Sequence, residues 1–104
     1  MTLSDYQKQV DAWVRQYKIG YWRPHEILAR LTEETGEVAR EVNHQFGPKK
    51  KKAGERDGNL GEELADVIFT LCCMANSQGI NLDDAFGRVM DKHYGRDKDR
   101  FEKK

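Results

Sequence analysis

No long apolar run occurs in this 104-residue chain. The longest, Val67 to Ala75, is far too short to span a bilayer. The first residues also lack the basic-then-apolar pattern of a secretory signal. Cysteine is scarce: Cys72 and Cys73 are adjacent inside that apolar run. Neighbouring cysteines rarely pair and two thiols make no disulfide framework, which fits a reducing compartment. The expectation is a soluble, cytoplasmic protein. His25, His44 and His93 show no metal-binding spacing with cysteine or with each other. Net charge is absent too, with 18 acidic residues against 18 basic ones. There is therefore no global pull toward nucleic acid or membrane, and no stable nucleic-acid partner is expected. Sustained period-two alternation is missing, which argues against strands. Only two prolines occur, both at plausible helix edges.

What is present is helical. A first helix is predicted from about Ser4, as its cap, to Tyr17, with Val10, Trp13, Val14 and Tyr17 as its apolar stripe. Pro24 suits the first position of a second helix, which presents Ile27, Leu28, Leu31, Val38 and Val42 and ends near Phe46, before Gly47-Pro48. Lys49 to Asp57 reads as a solvated loop. A third helix runs from near Asn59 to Ser77, with Gly79 as its stop. Its second half is apolar on nearly every side, which places it in the centre of a bundle or at a subunit interface. Asn81 caps a fourth helix, with Asp83 and Asp84 in its first turn and Ala85, Phe86, Val89 and Met90 facing inward. One domain is expected over residues 1–95, with a charged tail over 96–104.

Charge is segregated locally even though it balances overall. The second helix carries Glu33-Glu34-Thr35-Gly36-Glu37, and the third opens with Glu62-Glu63-Leu64-Ala65-Asp66. Residues three and four apart share a helix face, so Glu33, Glu34, Glu37 and Glu41 fall within one arc of roughly 100°. Glu62, Glu63 and Asp66 fall within a similar arc. Each arc flanks its helix's apolar face, so side-by-side packing brings the two together. Such a cluster is costly without a cation, because the carboxylates repel one another and desolvation opposes their charge. A hard divalent ion such as magnesium relieves both effects and takes its remaining ligands from water and phosphates. The chemistry implied is phosphoryl or nucleotidyl hydrolysis, with a spare carboxylate as general base. For either helix alone a solvated face is the plainer explanation. Arg30 with Glu33 and Glu34, and Glu37 with Arg40, stand at ordinary ion-pair spacing. Gly36 weighs on the other side. A glycine inside a helix costs roughly 1 kcal/mol against alanine, and its presence beside the acids suggests close approach of a helix or a ligand.

Leu31-Thr-Glu-Glu-Thr-Gly-Glu-Val38, followed by Gly61-Glu-Glu-Leu-Ala-Asp-Val-Ile-Phe69, resembles the MazG-like nucleoside triphosphate pyrophosphohydrolases. The hallmark of that family is Glu-Glu-x-x-Glu, a loop, then Glu-x-x-Asp leading into an apolar helix. The likeness extends from about Trp13 to Arg100 and includes the stretch Asn81 to Phe86. It implies an all-α, four-helix bundle-like protomer that assembles into a homodimer or homotetramer. It implies cleavage of a nucleoside triphosphate between the α and β phosphates, giving the monophosphate and pyrophosphate. Carried over by position, Glu34, Glu37, Glu63 and Asp66 would hold Mg2+, with Mn2+ as a substitute, and Glu33 would be a helper or a water-positioning base. Lys92 and Arg96 resemble the family's basic end and would hold phosphates. Lys52, in the lysine run, would steer them inward. Trp13, Trp22, Tyr17 and Tyr21 are candidates for stacking on the base. Nucleotide-pool house-cleaning is the expected role. The alternatives are a nucleotide- and magnesium-sensing module without turnover, and a structural helical oligomer whose acids only solvate a face.

Overall fold

The computed structural model describes residues 1–48 and 58–104, and among them every regular element is helical. The helices are α1 (Leu3–Val14), α2 (Pro24–Phe46), α3 (Leu60–Ser77) and α4 (Leu82–Gly95). The predicted loop at 49–57, with Lys52, lies outside the described residues. The local signals for α2, α3 and α4 act as expected. Pro24 opens α2, and Gly47 follows its last turn. The Asn59 side chain accepts the backbone N–H of Glu62 at 3.1 Å, and that of Asn81 accepts Asp84 N–H at 3.0 Å. Gly79 takes a φ of +66°, a left-handed turn that suits glycine after a helix.

The first helix departs from expectation at both ends. Thr2, not Ser4, is its cap: the Thr2 hydroxyl accepts Asp5 N–H at 3.1 Å, and the Asp5 carboxylate accepts Thr2 N–H at 2.9 Å. Ser4 lies inside the first turn, where its N–H and that of Leu3 donate to the two carboxylate oxygens of Asp83, each at 3.1 Å. An acid on α4 thus satisfies orphan donors at the start of α1. Hydrogen bonds from Ser4 hold the Asp83 carboxyl below its ordinary range. The helix stops at Val14, short of Tyr17, and turns carry the chain on to Ile19.

Helices α2 and α3 pack most extensively, α1 lies on α3, and α4 packs on α1. The core centres on Val10, Val14 and Cys72, with Tyr21, Cys73 and Leu82 against it. Several residues expected inside are not. Trp13 and Tyr17 are half exposed. On α2 only Ile27 of the predicted face is buried, and Leu28 and Val42 are exposed. No residue of α4 is buried, and Phe86, Val89 and Met90 face outward. On α3, Thr70, Cys72 and Ala75 are buried, whereas Leu64, Ile68 and Leu71 form an exposed stripe. One chain does not have enough helices to cover every side of α3. The radius of gyration is 17.2 Å; a compact domain of this length has about 13 Å. For Gly36, the expected close approach of another helix is corrected, and that of a ligand is untouched. Among the described residues nothing stands within 4 Å of where its Cβ would be, so no close approach explains it within the protomer. No helix of the described chain is long and apolar enough to cross a membrane.

Candidate active site

The acidic arcs of α2 and α3 meet as their spacing predicts. Glu34, Glu63 and Asp66 each offer a carboxylate oxygen within 4.8 Å of the others. Glu34 is buried, Glu63 half-buried and Asp66 exposed, so the trio runs from the helix interface outward. Burial pushes the Glu63 carboxyl above its ordinary range, and the charges of Asp66, Glu37, Glu34 and Glu41 push it further. Glu37 lies outside the tight trio but within reach of Glu63. Its own carboxylate pairs with Arg40 at 3.4 Å. Glu33 is exposed and takes no part in the trio; Arg30 bridges it at 3.1 Å and Glu34 at 2.8 Å. The ion pairs expected of a solvated face are therefore present, alongside a convergence that such pairs do not require.

All the donors in this trio are carboxylate oxygens, with no thiol or imidazole among them. That is the donor set of a hard divalent cation, and the residues fit one. Beside the acids opens a cleft of about 570 Å3 whose walls include Trp13, Tyr17, Tyr21, Trp22, Ile27 and Phe69, with Arg30, Glu34 and Asp66 at its edge. Its size is ordinary for a small-molecule site, where apolar walls and a few convergent polar groups are the rule. The Trp13 ring meets Tyr17 edge-on at 5.1 Å and Phe69 at 5.7 Å. All four aromatic residues singled out for stacking line this one cleft. Lys92 and Arg96 do not line it; they lie at the end of α4, where the Arg96 guanidinium faces Asp97 at 3.4 Å.

Two features escaped sequence reasoning. Glu41 is buried on α2, and a Cβ on Gly58 would overlap its carboxylate. The arc holding Glu41 was legible, but not that its carboxylate lies against the backbone at the entry to α3. Tyr21, read as a stacking candidate, is also bonded through its hydroxyl to Asp11 and Asn76. Those partners come from two different helices, and no local pattern joins them.

Paired acidic helices beside an aromatic cleft describe an all-α nucleotide hydrolase. Residues 23–101 match the MazG nucleotide pyrophosphohydrolase domain. YpjD of Bacillus subtilis (strain 168) is 52% identical over 103 residues, which cover 99% of this chain and 93% of that protein. YvdC of the same organism is 31% identical over 112 residues, covering 98% of each chain. The crystal structure of the B. subtilis YpjD superposes with a TM-score of 0.79, covering 88% of this chain and 94% of that one. The crystal structure of a Bacillus-conserved MazG protein, a nucleotide pyrophosphohydrolase, matches equally at 0.79 with 48% identity, covering 95% of this chain and 96% of that one. The chain belongs to the MazG nucleotide pyrophosphohydrolase family, and it is a nucleoside triphosphate pyrophosphohydrolase.

Proposed function

We propose that the protein hydrolyses a (deoxy)nucleoside triphosphate to the monophosphate and pyrophosphate with magnesium, as nucleotide-pool house-cleaning. The observation that carries this reading is the junction of the Glu34, Glu63 and Asp66 trio with the aromatic cleft. The base lies between aromatic walls and the phosphates extend toward the acids. Glu34, Glu63 and Asp66, with Glu37 beside them, hold the ion. When bound, magnesium supplies positive charge to the phosphate oxygens. Arg30, steadied by Glu33 and Glu34, adds a second cation at the cleft's edge. A carboxylate of the cluster takes the proton of the attacking water as the bond between the bridging oxygen and the α-phosphorus breaks, and pyrophosphate leaves. Lys92, Arg96 and Lys52 are kept as phosphate-binding candidates.

The test is the purified protein with magnesium or manganese and a panel of triphosphates. Pyrophosphate and monophosphate are expected in equal amounts, together with a rise in Tm at millimolar magnesium, because the ion binds the folded cluster and not the unfolded chain. Nucleotide binding without turnover across the whole panel would establish a sensor instead. The same reading includes a homodimer or homotetramer, because the stripe Leu64, Ile68 and Leu71 and the α4 residues Phe86, Val89 and Met90 leave a broad apolar surface in water. Sedimentation should give a mass of two or four chains; a monomer at every concentration would refute it.

A further inference from the structure

One wall of the cleft is not a helix. Residues 15–23, between α1 and α2, supply Tyr17, Ile19, Gly20, Tyr21 and Trp22 to it. The backbone there is held by short turns, such as Tyr17 N–H to Val14 C=O at 3.1 Å and Gly20 N–H to Tyr17 C=O at 3.2 Å. Gly20 takes a φ of +63°, so the chain reverses at a residue without a side chain. Among the described residues, Tyr21 is the one member of 16–22 whose side chain hydrogen-bonds to another element. Its hydroxyl donates to Asp11 Oδ1 on α1 at 2.7 Å and accepts from Asn76 Nδ2 on α3 at 3.0 Å.

Both partners are themselves fixed. Asp11 is paired with Arg15. Asn76 Nδ2 also donates to the Gln7 backbone carbonyl at 2.9 Å, and Asn76 Oδ1 accepts from Gln7 Nε2 at 3.0 Å. Gln7 is buried; its Nε2 donates to the Ile80 carbonyl at 2.8 Å and its Oε1 accepts Leu82 N–H at 2.9 Å. A part-buried polar chain thus runs from the α3–α4 turn through α1 and α3 to Tyr21. A fully satisfied network of this kind fixes one arrangement of the elements it joins.

We infer that the bonds from Tyr21 to Asp11 and Asn76 are a latch holding residues 15–23 as the nucleoside-facing wall, which makes Tyr21 a positioning residue for the base. The inference rests on the cleft being the nucleoside pocket. Trp22 adjoins Tyr21 and moves with it. The acids sit on α2 and near the start of α3, whereas the latch grips α3 at Asn76, close to its other end. Loosening the latch therefore weakens substrate binding and leaves the chemical step alone. Burial and the bond to Asp11 push the Tyr21 phenol up to about 12, so the donor to Asp11 survives at neutral and mildly alkaline pH.

Tyr21→Phe removes both bonds and keeps the ring, while Asp11 retains Arg15 and Asn76 retains Gln7. It should raise KM for the triphosphate about tenfold and change kcat less than about twofold. Binding of the α,β-methylene analogue of the best triphosphate, read from tryptophan fluorescence, should weaken by the same factor. Gln7→Met is the control: it removes the side-chain bonds to Asn76 Oδ1, Ile80 and Leu82 and lowers Tm, but Asn76 Nδ2 keeps both the Gln7 backbone carbonyl and the Tyr21 hydroxyl, so KM should stay within about twofold. An unchanged KM and analogue affinity in Tyr21→Phe would overturn the latch. So would a KM that rises in step with falling Tm in both variants, which is the mark of a merely structural network. If the wild-type protein releases no pyrophosphate from any triphosphate, the proposed function fails instead.

Discussion

Glu63→Gln should lower pyrophosphate release by at least about a hundredfold, the scale of losing an ion ligand or a proton acceptor at a hydrolytic centre. The same substitution should leave the metal-free protein as stable as wild type, or more so, at neutral pH. Glu63 is crowded by Asp66, Glu37, Glu34 and Glu41, and its carboxyl is raised above its ordinary range by burial first and by these charges next. A raised carboxyl means that the folded state holds its proton more tightly than the unfolded state does. The fold is therefore penalised once pH rises through the raised value, and the penalty is gone below the ordinary glutamate range. Glutamine resembles the protonated form and removes the penalty. The stability advantage of the variant should accordingly be present at pH 7 without metal and disappear in acid. Adding magnesium should reverse the ranking, because wild type gains more from the ion. Thermal melts at two pH values, with and without the ion, read all of this. A variant that unfolds earlier than wild type without metal at pH 7 would mean that Glu63 serves the fold, and the active-site reading of it would be lost.

Trp22→Ala should raise KM by roughly 10- to 100-fold with kcat preserved within about threefold, since stacking on a base is worth about 1–3 kcal/mol. Trp22 is the better probe of stacking than Trp13. The Trp13 ring is wedged between Tyr17 and Phe69, so its removal collapses the cleft's packing as well as its surface. Trp22 is half exposed and, among the described residues, has no ring partner. Trp22→Phe should recover most of the affinity. If alanine leaves KM unchanged for every triphosphate that turns over, the base does not lie on this wall.

Features legible in the sequence share a property: their causes lie within a few residues. Asn59 and Asn81 accept the N–H three positions on, Pro24 stands where a missing N–H costs nothing, and Gly79 supplies a left-handed φ. The meeting of Glu34 with Glu63 and Asp66 was legible for nearly the same reason, since helical spacing fixes each arc and only one packing step joins them. What was misread depends on remote partners. Hydropathy marks Phe86, Val89 and Met90 as apolar but does not say which surface covers them, and among the described residues they are covered only in part. The start of α1 is the exception, a local miss: Thr2 forms reciprocal bonds with Asp5 three residues on and so sets the start of the helix in place of Ser4. Gly36 suggested a neighbouring helix or a ligand, and among the described residues no helix stands there. Asp11, Tyr21 and Asn76 are ordinary residues that acquire meaning only when three elements converge.

The Asp83 carboxylate at the head of α1 has a consequence for how the chain is made. The bonds from Leu3 and Ser4 to Asp83 join residues about eighty positions apart. Local contacts form early, and pairings of long sequence separation come late because a large loop must close first. On a ribosome, α1 emerges before α4, and its leading N–H groups find their acceptor only once Asp83 has been made. A nascent chain truncated before Asp83 lacks the acceptor for the Leu3 and Ser4 N–H groups and carries an unfinished α1.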